Sequence, residues 1–205
     1  MEGADDEVAE HVQQAIDALT ERGIDAETVA VPQYEVATLA GLVIAGTEFA
    51  DLALTQGQVI GTGTGYSEPW REAVSKAMRS ADLGENVREQ VLTNGALSAE
   101  RLTHYVAARN IGTELTGTVD DLLETYDALV TPTTPMTAPE FGEITTNDDF
   151  ARTVANTVPF NVTGHPALSV PVFGSNAPVG VQFVGRRYDE QTLVSLGATL
   201  ETVTE

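Results

Sequence analysis

The chain has 205 residues, 42% of them hydrophobic and 6% aromatic, with no cysteine. That is enough apolar material for a globular domain with a core, and it excludes a disordered polypeptide, disulfides and thiolate metal sites. Lysine and arginine total 10 against 31 acidic residues, a formal charge of -21, so a phosphate backbone or an anionic membrane surface would be repelled and neither nucleic acid nor a membrane is expected as a direct partner.

The acidic residues are scattered from Glu2 to Glu205 and Lys76 is the only lysine. This distribution points to a whole surface adapted to high salt, where counterions screen self-repulsion, and hence to a halophilic cytoplasmic protein. The start, Met1-Glu2-Gly3-Ala4-Asp5-Asp6, is acidic where a signal peptide is basic. No apolar stretch is expected to approach the ~20 residues that span a bilayer.

Val8, Val12, Ile16 and Leu19 recur at helical spacing behind Asp5 and Asp6, and Gly23 ends the pattern, which predicts an amphipathic first helix. Residues 26–31, rich in β-branched side chains and followed by Pro32, predict a strand. With no strand ahead of the helix, a parallel sheet would make the chain start inside a βαβ unit. Tyr34 to Leu54 reads as a long, sparsely charged helix buried on more than one side.

Gly61-Thr62-Gly63-Thr64-Gly65 breaks the pattern and reads as a flexible loop; it lacks the strand and third-glycine spacing of a dinucleotide turn. Helices are predicted over 69–79, 86–92 and 98–126, the last with Ser98 as N-cap. A buried strand follows at 127–131, then the proline-rich 132–139, which fits neither a helix nor a central strand. A short helix near 149–155, strands at 167–172 and 179–184, and a last helix over 189–200 complete the chain. Helices alternating with short apolar strands predict an α/β fold with a covered, mostly parallel or mixed sheet. No repeat or dividing linker is visible, so residues 1–205 are taken as a single domain.

The end of the chain carries YDALVTPTTP at 126–135, AP at 138–139, TVPFNVTGHPALSVP at 157–171, PVGVQFVG at 178–185 and then Asp189-Glu190. In this order and spacing the set resembles the amidase-signature family, which includes bacterial amidases and the glutamyl-tRNA(Gln) amidotransferases. Residues 8–123 resemble the family's helical region more loosely. The resemblance implies the carboxy-terminal half of an amidase, a partial amidase-signature fold without its amino-terminal part. It also implies hydrolysis of a carboxylic amide C–N bond by a lysine that activates a serine pair.

Amide cleavage needs a strong nucleophile, a path for its proton and donors for the oxyanion. The only glycine-rich stretch holds threonines and no serine, and Lys76 sits in a helical context. No residue here matches the family's catalytic positions, so the catalytic residues are expected outside this chain and the chain alone is expected to be inactive. The sequence implies no cofactor and no metal. Ser169 near His165 lacks the Gly-x-Ser-x-Gly elbow, and His11, His104 and His165 lack paired ligand spacing and read as solvent-facing.

Prolines 132, 135, 139, 159, 166 and 171 turn strand ends sharply into loops, and in an α/β sheet such loops line a ligand crevice. Thr133, Thr134, Phe160 and Asn161 are therefore the candidate substrate-binding residues. Gln182, in its strand, reads equally as core or as substrate contact. Glutamine-hydrolysing members are expected to carry a basic pair where this chain has Arg88 followed by Glu89 and Gln90, and an acid where it has Val154. This favours a general amidase over an amidotransferase component, since a glutamine α-carboxylate and amine would lose their charged partners. The implied partners are a small-molecule amide and a complementary amino-terminal half; the rival reading is a noncatalytic truncated remnant or interaction half.

Overall fold

The structure is a computed structural model and describes residues 3–55, 68–80, 83–85, 87–89, 101–173 and 177–204. The predicted loop at 61–65, the Ser98 cap and most of the predicted helix at 86–92 lie outside these residues. The elements in chain order are α1 (Asp6–Glu21), α2 (Tyr34–Leu54), α3 (Glu68–Arg79), α4 (Arg101–Thr125), β1 (Ala128–Pro132), α5 (Asn147–Thr153), α6 (Val158–Thr163), β2 (Ala167–Phe173), β3 (Pro178–Gly185) and α7 (Glu190–Thr204). They fall into two compact units, Met1–Gly41 with Ile111–Glu205, and Leu42–Asn110.

The first unit is built on a three-stranded sheet in the order β1-β3-β2. Both pairings are antiparallel, with Thr131 opposite Gln182 on one side and Ser169 opposite Gln182 on the other. Alternation of helices and strands suggests parallel or mixed pairing, but β2 and β3 follow each other closely enough to pair as neighbours of opposite sense. Along β3 the side chains alternate between faces. Val179, Val181 and Phe183 join Val170 and Val172 of β2 and are covered by Val8, Val12, Ala15 and Leu19 of α1 and by Leu193 and Leu200 of α7. Val184 turns to the other face, where it meets Leu129, Leu115, Val119, Leu123, Ala37 and Phe160. Each such buried side chain contributes roughly 1.5–3 kcal/mol, so the two helical coverings fix which way the sheet faces.

α1 matches its prediction: Gly23 takes φ +85 just beyond the helix, and the N–H groups of Arg22 and Ile24 donate to the Leu19 carbonyl. The expectation of a strand over 26–31 is corrected. That segment is extended but joins no sheet, and Val29 and Val31 pack instead against the second core. β-branched composition favours an extended backbone, but a strand also needs a neighbour to bond, and the described strands are already paired among themselves.

Pro132 closes β1, an outer strand of the described sheet. Thr133 N–H donates to the Gly180 carbonyl at 2.7 Å and Gly185 N–H to the Pro166 carbonyl at 3.1 Å. By the alternation of an antiparallel ladder, the nitrogens of Pro132 and Pro171 therefore turn away from β3, the side on which a missing donor breaks no bond.

α6 is seated against two glycines. A Cβ on Gly41 of α2 would stand 2.2 Å from Val158 Cγ1, and one on Gly112 of α4 would stand 2.6 Å from Val162 Cγ1. Glycine at these helical positions is thus explained by close approach, not by backbone conformation. Gly164 ends α6 at φ 71, and its N–H donates to the Phe160 carbonyl at 2.9 Å.

The second unit is helical in its described residues. Ile44, Thr47, Ala50, Ala53, Ser75 and Ala108 are its buried side chains, and Tyr105 donates to Glu48 Oε1 at 2.9 Å. Tyr34–Ala53 has a mean hydropathy of 1.5 over its most apolar window, 33% of which is buried, and by length and composition it is long enough to cross a membrane. This corrects the expectation that no stretch approaches that length: Glu35, Glu48 and Asp51 lie near the ends of the run and leave its middle uncharged.

Candidate functional site

On the face of β3 opposite α1 and α7, the register aligns Thr131, Gln182 and Ser169 in one row across all three strands. Gln182 is 4% exposed. Its Nε2 donates to Thr131 Oγ1 at 3.0 Å and to the Asn156 carbonyl at 2.9 Å, which satisfies both amide protons. Two side chains from α2 hold the same turn. Tyr34 donates to Asn156 Oδ1 at 3.2 Å and Thr38 to the Ala155 carbonyl at 3.0 Å. Burial pushes the Tyr34 phenol up to about 12, against the opposing pull of its hydrogen bond with Thr131, so it stays a neutral donor. The turn that leads into α6 is therefore fixed by uncharged groups from α2 and β3.

One step along the sheet, Thr133 Oγ1 and Ser169 Oγ stand 2.6 Å apart. They meet over the central strand at Gly180, where a Cβ would lie 2.6 Å from Thr133 Oγ1 and 2.9 Å from Ser169 Oγ. Any side chain at position 180 would wedge the two hydroxyls apart.

Of the other sequence-predicted residues, Thr134 is half-buried and donates to the Met136 carbonyl at 2.8 Å, folding the proline-rich loop back on itself. Phe160 is 4% exposed and packs in the second core, its ring centroid 6.0 Å from that of Tyr34 at an interplanar angle of 55°. Asn161 is exposed on α6, its N–H donating to the Thr157 carbonyl at 3.1 Å. Thr133 is thus joined to Ser169, whereas Phe160 and Asn161 are tied to the same sheet face only through Tyr34, Asn156 and Gln182. Reasoning from sequence missed Tyr34, Thr131 and Asn156 as site-forming residues. The signal was strand parity: Thr131 and Thr133 share one face of β1 and its extension, as Gln182 and Gly180 share one face of β3.

His165 is not solvent-facing, which corrects that expectation. It is 6% exposed, with Nδ1 2.9 Å from Thr163 Oγ1 and Nε2 3.0 Å from Asp120 Oδ1. Arg187 donates from Nη1 to the same Asp120 oxygen at 2.7 Å and from Nη2 to the Thr163 carbonyl at 2.6 Å. Burial, then the Arg187 charge, holds the imidazole below its usual pKa, against the pull of Asp120. Ser169 has Thr133 as its partner and His165 has Asp120 and Thr163, so this serine and histidine serve separate networks. Lys76 is exposed in the last turn of α3. Among the described residues, no group of three His, Asp or Glu side chains is placed to hold a metal ion.

A sheet with helical covers, a hydroxyl-and-amide face and the ordered proline-glycine motifs define the class, and a family profile described as Amidase matches residues 1–194. The chain belongs to this family. It is 34% identical over 212 residues to the GatA-type component of glutamyl-tRNA(Gln) amidotransferase from Desulforamulus reducens, a match covering 100% of this chain and 43% of that protein. It is also 34% identical to the corresponding amidotransferase component of Halobacterium salinarum, over 98% of this chain and 48% of the relative. The crystal structure of the corresponding Thermotoga maritima protein superposes with a TM-score of 0.71 at 26% identity, over 97% of this chain and 39% of that one. The chain thus spans less than half the length of these relatives and carries part of their fold.

Proposed function

We infer that this chain is the substrate-pocket half of an amide hydrolase, and that the lysine and serine pair of its catalysis lie on polypeptide outside it. The observation that carries this reading is the hydrogen-bonding sheet face that contains Thr133 and Ser169 but pairs neither with a base. A serine whose hydroxyl meets a threonine has no acceptor strong enough to take its proton. In this reading Thr133 and Thr134 present the proline-rich loop to the substrate, Asn161 reaches it from α6, and Phe160 supports that helix from the core. The chain alone does not turn over amides, no cofactor takes part, and the enzyme works in the cytoplasm of a salt-adapted cell.

A second reading, a fragment of an amidotransferase acting on glutamine, is favoured by the names of the curated relatives. Against it stand Arg88 followed by Glu89 and Gln90, and Val154 in place of an acid. The test is hydrolysis of a panel of simple amides and L-glutamine in molar salt, by the chain alone and mixed with the polypeptide encoded beside it. Turnover of simple amides only in the mixture supports the proposal. Turnover of glutamine alone supports the second reading, and turnover by the isolated chain overturns both. A mixture without activity makes the chain a noncatalytic remnant.

A further inference from the structure

We propose that the Thr133–Ser169 hydroxyl pair is a recognition site for the carboxamide group of an uncharged ligand, kept open by the absence of a side chain at Gly180. The inference rests on the reading above only in taking this sheet face as the ligand side. Two hydroxyls 2.6 Å apart share one proton between them. The second proton is left to point outward, beside unused oxygen lone pairs. The pair therefore offers one donor and one acceptor side by side, which is the complement of a carboxamide: its carbonyl accepts from the free hydroxyl proton, and its N–H donates to a hydroxyl oxygen.

Ser169 is exposed and Thr133 half-buried, so a ligand can reach the pair. The backbone beneath is close, because a Cβ at position 180 would fall 2.8 Å from Thr133 Cβ as well as against both oxygens. Neighbouring polar groups are neutral and already committed, with Gln182 Nε2 donating to Thr131 and to Asn156.

The site favours an uncharged ligand because the nearest obvious cations are used elsewhere. Arg152 is paired with Asp5 at 2.6 Å. Arg186 donates to the Leu123 and Tyr126 carbonyls and lies 3.6 Å from Asp127. Arg187 is held by Asp120 and the Thr163 carbonyl. A carboxylate brought to the hydroxyl pair would give up its hydration with no charged partner to replace it, in a chain of net charge -21.

The test is an NMR titration of the isotope-labelled full chain with propionamide, and separately with L-glutamine, each to about 100 mM, a range that registers a weak site. Propionamide is expected to shift the backbone amides of Thr133, Ser169 and Gly180, and L-glutamine to shift them less at equal concentration. Ser169→Ala, which removes an exposed hydroxyl, is expected to abolish the response while leaving the rest of the spectrum in place; Gly180→Ala is expected to abolish it by blocking the pair. No shift at these three positions, an unchanged response in Ser169→Ala, or an equal response to L-glutamine overturns the proposal. Binding here without hydrolysis by any mixture would leave this site standing and remove the hydrolase reading.

Discussion

The side-chain amide of Gln182, in the middle of β3, lies 2.9 Å from the backbone carbonyl of Asn156 and so fastens the central strand to the turn that launches α6. Replacing it by leucine keeps the bulk but strands that carbonyl and Thr131 Oγ1 in a buried setting. Loss of a buried partner costs about 1–3 kcal/mol. Gln182→Leu is expected to lower the urea midpoint accordingly without changing the slope of the transition.

Gly41 gives a case where helix propensity and packing pull in opposite directions. Alanine there gains about 1 kcal/mol of intrinsic helix preference. Its Cβ would arrive 2.2 Å from Val158 Cγ1, and overpacking of that kind costs about 1–3 kcal/mol. Gly41→Ala is therefore expected to destabilise, and Val158→Ala added to it to recover part of the loss. A double-mutant cycle by chemical denaturation measures the coupling; additive effects would show that the two residues do not meet.

His165 ties stability to pH. Its folded-state pKa lies below the usual 6.5, because burial and Arg187 outweigh Asp120. The unfolded chain then takes up a proton near pH 6.5 while the folded chain still resists it. Stability is full above that value and declines as pH falls toward the lower, folded pKa. Denaturation between about pH 5 and about pH 8 is expected to show this decline, and His165→Gln to flatten it.

The surface charge makes salt a stabiliser. With 31 acidic against 10 basic side chains, self-repulsion weakens as the screening length shrinks from about 10 Å at 0.1 M salt to about 3 Å at 1 M. The thermal midpoint is expected to rise with KCl across that range. A flat response would mean that the acidic groups are already compensated in the fold.

Local features were legible where one stretch of sequence determines them. The spacing of Val8, Val12 and Leu19 gave α1, and Pro132 and Pro159 marked where a strand ends and where a short helix begins. What required a partner far along the chain was not legible. Residues 26–31 have strand composition but no strand beside them. His165 was read as solvent-facing because nothing local announces Asp120, 45 positions upstream. Thr133 was found through its loop, whereas its relationship to Ser169 depends on the register of two strands with β3, and Gly180 shows its purpose only when both hydroxyls are in place.

The outward-facing nitrogens of Pro132 and Pro171 give the sheet a built-in syntax for anything that would lengthen it. A strand arriving beside β1 finds donors at Ala128 and Val130 and a gap at Pro132; one arriving beside β2 finds donors at Ala167 and Ser169 and a gap at Pro171. An incoming carbonyl opposite either gap has nothing to bond, so only strands that place a turn, a bulge or their own end there can add without loss. Promiscuous edge-to-edge stacking of identical copies is thereby penalised, while a neighbour shaped to stop at the proline is admitted.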